Sequence, residues 1–440
     1  MKLPDLLATR AGRLSAFFFL YLTEGLPLGF AATAIATQMR RQGVGPAEIG
    51  AFVGTLYLPW AFKWAMGPFV DVISSERFGR RRTWIVFTQA MMVMMMMVAL
   101  PIDFTNELKL YTFVILIFNF FGATQDVAID ALAVNVLGEK ERGVANGLMF
   151  GGAYIGQALG GAGVLFLMPY IGLSGSYVFV AAVLLSVLCF IALPMKEPKG
   201  ETRAVANGSL LAHIRGELLR FARDVFRAFS SSRAAWVGLI FALLPGGAYA
   251  LSLALQSNLA VELGLTDASI AKLALASTVI SAAGCVAGGW MSDRFGRRKM
   301  LAWFYVGTVI PGLVLAWFMW RQGWIMPVDP QMPDRPVPTD ALVTLFWGAC
   351  LAFSVFQGLM YGTRSALFMD ITTPAVAATQ FTAYMALCNL VITYSATWQG
   401  FAIERWGYPI TLTIDGVAGL VCIALLPLLK PRAATPSTNS

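Results

Sequence analysis

Asn119, Asp126 and Asp130 stand seven and four positions apart in the apolar run 109–136, a spacing that puts them on one face of a helix turned to the protein interior. A charge near the centre of a bilayer costs at least ~2.5–3.5 kcal/mol on insertion scales, so ionisable residues inside such runs are candidates for function. The others are Glu24, Lys63, Lys272, Arg364 and Asp370. Two carboxylates one turn apart in a low-dielectric site repel, and a proton taken up by one relieves the repulsion. Asp126 and Asp130 therefore suit a carrier that takes a proton on one side of a membrane and releases it on the other. Equally open is a structural role, in which either acid neutralises Lys63 or Arg364 and locks the helices together. Asp130 lies nearer the inner end and also fits a gate. Lys63 and Arg364, one from each half of the chain, suit a ligand carboxylate or phosphate. Glu24 sits beside Gly25, Pro27 and Gly29, which interrupt a helix and free backbone groups for a cavity, water or ligand. Gln157, Tyr249, Gln256, Tyr384 and Asn389 either line such a cavity or bond one helix to the next. Lys272, near a run's end, is expected to snorkel to the surface.

These residues need a membrane around them, and the composition supplies the argument. The chain is 58% hydrophobic and 13% charged, with a mean hydropathy of +0.68. A soluble surface needs roughly twice that charge. Twelve apolar runs lie near 14–37, 48–72, 83–102, 109–136, 143–168, 174–194, 235–260, 269–292, 300–320, 341–369, 377–401 and 408–429, each able to cross the hydrocarbon layer. Of the 32 Lys and Arg, 23 fall in the termini and alternate connections (73–82, 137–142, 195–234 and 293–299), and six on the opposite side. That asymmetry places both termini in the cytoplasm. It also accounts for the +8 net charge, so no nucleic-acid partner is implied. The basic start leads into a run longer than a signal-peptide core and is expected to stay as a cytoplasmic tail. All five cysteines lie in apolar runs with no CxxC spacing, and His213 is the single histidine. Neither a disulfide framework nor a metal centre follows, and no cofactor is expected. The methionines of 91–97 wrap a whole helix and read as packing, not a thioether metal site. The glycine ladders Gly143-Gly147-Gly151 and Gly152-Gly156-Gly160 fit close helix contact.

The organisation is a duplication. "RFGRRR" at 77–82 returns as "RFGRRK" at 294–299, an offset of 217. Gly25-Leu26-Pro27 matches Pro245-Gly246-Gly247, and "GVGPAEIG" at 43–50 matches "GLTDASIA" at 264–271, both near an offset of 221. The difference arises because five residues, 72–76, are inserted between Asp71 and Arg77 in the first copy. The Pro-rich external connection 327–340 has no counterpart in the first half. Two six-span halves of the same orientation follow, 1–194 and 235–440, joined by a cytoplasmic linker, 195–234. In the linker Leu211, Ile214, Leu218, Ala222, Val225 and Phe229 recur at helical spacing opposite Arg215, Arg220, Arg223 and Arg227. That pattern predicts an amphipathic helix on the inner membrane surface.

"GWMSDRFGRRK" at 289–299 fits G-x-x-x-D-R-x-G-R-R, and "GPFVD" with "RFGRRR" over 67–82 is the same frame, split. This resembles the loop signature of the major facilitator superfamily. Topology alone needs positive charge but not the glycine–aspartate frame, so Asp71, Arg77, Arg80 and Arg81, with Asp293, Arg294, Arg297 and Arg298, are expected to form conformational latches. "LTEGLPLGFAATAIATQMRRQGV" at 22–44, "ATQDVAIDALAVNVLGEKERGVANGL" at 123–148 and "AATQFTAYMAL" at 377–387 resemble the AmpG-like permeases, a branch grouped with acetyl-coenzyme A transporters and certain siderophore permeases. The resemblance implies an all-α major facilitator fold in a bacterial inner membrane, and a monomer. It implies proton-coupled import of an anhydro-muropeptide from periplasm to cytoplasm, with a siderophore or acyl-coenzyme A as the alternative solute. Asn135 stands where such sequences often carry a third acid, which weakens any coupling role there. A membrane-embedded enzyme finds no Cys/His pair, metal cluster or Ser-His arrangement in the sequence, and a non-transporting sensor finds no long signalling domain.

Overall fold

The computed structural model describes residues 5–72, 79–197, 233–252, 254–372 and 377–429, with scattered positions between 215 and 229. Among them the chain is helical, and the helices form two halves of six. In the first half α1 is Arg10–Arg41, α2 is Pro46–Ala61, α3 is Arg80–Ala99 and α4 is Leu108–Val136. One helical run from Glu139 to Ala192 then makes both α5 and α6, divided at Gly172. In the second half α7 is Arg233–Leu243 plus Ala254–Glu262, α8 is Asp267–Phe295, α9 is Arg297–Gln322 and α10 is Asp340–Ile371. A run from Ala377 to Leu428 makes α11 and α12, divided at Gly407. By length and apolarity eight helical runs among the described residues qualify as membrane-crossing. Two of these each hold two spans, while α2 and α7 are cut short by breaks, which recovers the predicted twelve.

The duplication is written into the backbone. Gly43 and Gly264 (φ 86° and 76°), Gly79 and Gly296 (94° and 93°), and Gly172 and Gly407 (69° and 80°) occupy equivalent turns of the two halves. Only glycine takes a positive φ without a Cβ penalty, so the tight turns of one half reappear in the other at the same places.

Where the breaks fall differs from expectation. The Gly25–Gly29 cluster does not interrupt α1. The helix passes through Pro27, and the stretch Phe30–Ile35 that follows it is wide-turned. The partner cluster does break α7, with Gly247 at φ 75°. α2 ends at Ala61, and a single tight turn, Lys63–Ala65, precedes the short helix Gly67–Val72. Lys63 therefore sits at a break and not mid-helix. Lys272 is exposed near the start of α8. In the linker, Leu211, Ile214 and Val225 of the predicted amphipathic stripe lie outside the described residues; Phe229 is buried, whereas Ala222 and Phe226 are exposed.

Burial shows how the halves meet. The largest apolar cluster draws on both halves and contains the parts of the helices away from the basic connections, from Leu26 and Phe52 to Tyr249, Phe346 and Leu412. At the end bearing the basic connections there are two separate clusters. One, around Phe17, Ile129 and Leu188, belongs to the first half; the other, around Phe241, Phe368 and Tyr384, belongs to the second. The halves are distinct at the end bearing the basic connections and fused at the other.

The second glycine ladder is a contact surface and the first is not. A Cβ at Gly152, Gly156 or Gly160 would lie 2.2, 2.3 or 1.8 Å from the carbonyl oxygens of Phe18, Leu22 and Leu26 on α1, whereas Gly147 and Gly151 face open space. Gly156→Ala must therefore push α5 off α1. A loss of about 3 kcal/mol is expected, the upper range for overpacking, read as a thermal midpoint at least ~5 °C lower in detergent. Gly151→Ala is expected to leave the midpoint unchanged or raise it.

Candidate functional site

Near the midplane of the first half, between its two apolar clusters, the structure gathers four ionisable residues. Lys63 Nζ is 2.6 Å from Asp126 Oδ2, and Asp126 is 3% exposed. One turn along α4, Asp130 accepts a 2.6 Å hydrogen bond from the Tyr21 hydroxyl. Glu24, from α1, lies close enough to interact with Asp126, Asp130 and Lys63, and its Oε1 is buried without a partner. Three carboxylates thus face one ammonium. The break after α2 makes this possible: the turn at Lys63–Ala65 brings the lysine stem across to α4. Asn119, seven residues before Asp126, donates to the Ile115 carbonyl of its own helix at 2.9 Å.

The second half presents the opposite charge. Arg364 on α10 is 5% exposed, its Nη1 donates to the Tyr249 hydroxyl at 2.9 Å, and it lies over the Tyr361 ring at 5.5 Å. Its Nε is buried without a partner, and no carboxylate pairs with it among the described residues. Tyr361 lies on the same helix as Arg364, with its ring beside the guanidinium. Deeper toward the end away from the basic connections lies a cavity of about 60 Å³, lined by polar groups of both halves: Thr33, Tyr57, Gln157, Ser252, Gln256 and Ser257.

Sequence reasoning missed the residue that holds the second half of this arrangement. Asp415, on α12, is 2% exposed. Its Oδ2 accepts from the Tyr249 and Ala250 amides at 2.8 and 3.0 Å, and its Oδ1 from Gln399 at 2.7 Å. It satisfies the donors freed by the break in α7 and so fixes Tyr249 beneath Arg364. The signal was an acid inside the apolar run 408–429. Another predicted residue stands apart from the cluster. Tyr384 is fully buried in the second half's own apolar cluster, stacked on Phe368 with centroids 4.8 Å apart, and donates to the Ala235 carbonyl. Asn389 is half-buried on α11.

The repeated basic loops are held by different sets of contacts. In the second half Arg297 reaches Asp293 Oδ1 at 2.9 Å, Asp370 Oδ1 at 2.6 Å and the Ala366 carbonyl at 2.9 Å, joining α8, α9 and α10. Asp370 thus belongs to this set. Arg298 reaches the Pro427 carbonyl at 3.4 Å, while Arg294 is exposed against Trp290 and Phe295. In the first half, Glu197 Oε2 accepts from the Arg81 and Arg82 amides at 2.7 and 3.1 Å, capping α3, which begins at Arg80. Arg77 and the Asp71 side chain lie outside the described residues. At the same surface Arg13 pairs with Glu141 at 2.7 Å, and its hydrogen bonds hold that carboxyl below the usual range.

A set of ion pairs joining the halves at the end away from the basic connections was not foreseen. Arg40 on α1, 3% exposed, pairs with Glu262 on α7 at 2.7 Å, and Arg41 pairs with Asp267 on α8 at 2.5 Å. Beside them Glu404 of α11 caps the α2 N-terminus through the Ala47 amide at 2.9 Å.

Two parallel six-helix halves, fused at one end and lined at the midplane by charges from each, make a membrane transporter. The chain belongs to the Major Facilitator Superfamily, whose model matches residues 14–396. It is 24% identical over 417 residues to the anhydromuropeptide permease of Escherichia coli (strain K12), covering 93% of this chain and 78% of that one. It is 23% identical over 406 residues to the putative transporter AmpG 4 of Rickettsia felis (strain ATCC VR-1525 / URRWXCal2), covering 89% and 92%. Among solved structures, a D-xylose-proton symporter superposes with a TM-score of 0.70 at 12% identity, covering 95% of this chain and 97% of that one. At that identity the superposition speaks for the fold.

Proposed function

We propose that the chain is a proton-coupled symporter of a bacterial inner membrane. It works as a monomer with both termini cytoplasmic, and imports an amphiphilic anionic solute by alternating access. The observation that carries this reading is the division of charge between the halves: three carboxylates around Lys63 in one, and Arg364 with no carboxylate partner among the described residues in the other. A proton entering the carboxylate cluster lessens its repulsion, while a solute carboxylate or phosphate compensates Arg364, with Lys63 as a second contact once Asp126 is protonated. Gln157 and Gln256 offer amides to the polar body of the solute at the cavity between the halves. Similarity to an anhydromuropeptide permease supports a cell-wall fragment of that kind as the solute.

The arrangement fused at the outer end and separate at the inner one is then the inward-facing state, with the Arg297 latch and its counterpart around Glu197 engaging the inner surface within each half. Purified protein in liposomes should accumulate anhydromuropeptide when the outside is acidic, and a protonophore should reduce the initial rate at least ~10-fold. Uptake that ignores the pH gradient would overturn the coupling; uptake of a siderophore or coenzyme A ester in its place would overturn the solute.

A further inference from the structure

We propose that the external connection between α9 and α10 is a strap of the outer gate, with the Val328 backbone as the third member of the Arg40–Glu262 pair. Arg40 Nη2 donates to the Val328 carbonyl at 2.6 Å, while the Val328 amide donates to Glu262 Oε2 at 2.9 Å. One residue of the connection thus holds base and acid at once. Glu262 Oε1 takes Arg40 Nε and Nη2, at 3.0 and 2.7 Å, and the Tyr408 hydroxyl at 2.7 Å. Arg40 spends its remaining nitrogen on the Val44 carbonyl at 3.1 Å. The pair is shut away from water, with side chains 4% and 0% exposed.

The strap is anchored on both halves. On the second, the Tyr408 amide donates to the Ile325 carbonyl at 2.8 Å, and Trp324 is buried. On the first, Arg40 itself holds the Val328 carbonyl, and Asp329 and Gln331 lie beside Gly43. The equivalent connection of the first half, between Ala99 and Leu108, is much shorter. Pro327, Pro330, Pro333, Pro336 and Pro338 stiffen the strap and reduce the entropy lost in ordering it.

The energetic consequence is a coupled opening. Outward opening must part α1 from α7, and a buried charge left without its partner is costly. Arg40 cannot leave Glu262 while Val328 still bridges them, so the strap has to shift with the gate. Loosening it should let the outer mouth open more often, whatever solute is carried.

The test reads accessibility and not transport. With the five native cysteines replaced, Ser257→Cys places a thiol in the cavity behind the gate, and a membrane-impermeant maleimide is added to intact cells. Val328→Pro, which deletes the amide donated to Glu262, should raise the labelling rate about tenfold, the effect of one lost hydrogen bond to a charge. Val328→Ala, which keeps the amide, should match the parent. If Val328→Pro is not recovered folded, a Gly-Ser replacement of 330–335 at equal length carries the test, with an increase again expected. Equal labelling of parent and loosened strap overturns the proposal. The choice of intact cells rests on the orientation proposed above, which Asp334→Cys on the exposed connection checks. If that thiol labels only in inside-out vesicles, the orientation is wrong, and the strap comparison is read in those vesicles instead.

Discussion

Asp126→Asn is expected to lower pH-gradient-driven uptake at least ~100-fold, equivalent to about 2.7 kcal/mol, and to flatten what uptake remains against external pH. The argument is the charge count at the Lys63 break. Asp126 is the acid in direct contact with the ammonium, at 2.6 Å, and both Glu24 and Asp130 interact with it. Asparagine keeps the shape but cannot exchange a proton, so Lys63 stays charged and turns to Glu24 or Asp130. The cluster then has one fewer site to load, and no carboxylate is released from Lys63 on protonation. A purely structural pairing predicts a different pattern. Protein yield and thermal midpoint would fall while the pH dependence of the surviving transport kept its shape. Uptake rate and pH profile, measured with the midpoint on the same preparation, separate the two. Preserved transport with an unchanged pH profile would remove Asp126 from the coupling mechanism.

The spans and the duplication were legible because each rests on many residues. Hydropathy over 20 positions places a helix to within a few residues, and the basic hexapeptides repeat with a fixed glycine. Gly79 and Gly296 adopt the same left-handed turn because the neighbouring residues are the same, which local sequence can report. The charged cluster was half legible. A buried acid announces itself in an apolar run, as Asp126 and Asp130 did, but its partner depends on how helices pack. That Asp126 would face Lys63 and not Arg364 follows from the turn after Ala61, which no hydropathy signal marks.

The outer gate was illegible for a different reason. Arg40, Arg41 and Glu262 lie at span ends, where charge is ordinary, so nothing in their positions signals burial. Their meeting across 222 and 226 positions is a property of the assembled halves. Asp415 was a plainer oversight, since its own run carried the clue. Its partners, the Tyr249 and Ala250 amides, exist only because Pro245 and Gly246 end the first part of α7.

Arg364→Met is expected to abolish saturable uptake of an anionic solute while raising the thermal midpoint of the empty protein by at least ~2 °C. The two effects have one cause. A guanidinium 5% exposed, with a hydroxyl and an aromatic face for company and a buried nitrogen unpartnered, is held in the empty state at a cost. Methionine fills similar volume without that charge, so the unliganded fold gains what the arginine withheld. The same substitution removes the group a carboxylate or phosphate would neutralise, and binding loses its largest electrostatic contribution. Arg364→Lys separates charge from geometry: a lysine keeps the cation but lacks the fork, so KM should rise about tenfold or more with a smaller change in maximal rate. Were Arg364 merely a packing element, Met would be the milder change for transport and Lys would restore little. A variant that is less stable than the parent, yet transports with an unchanged KM, would show that the arginine is compensated within the protein and that the solute's charge is read elsewhere.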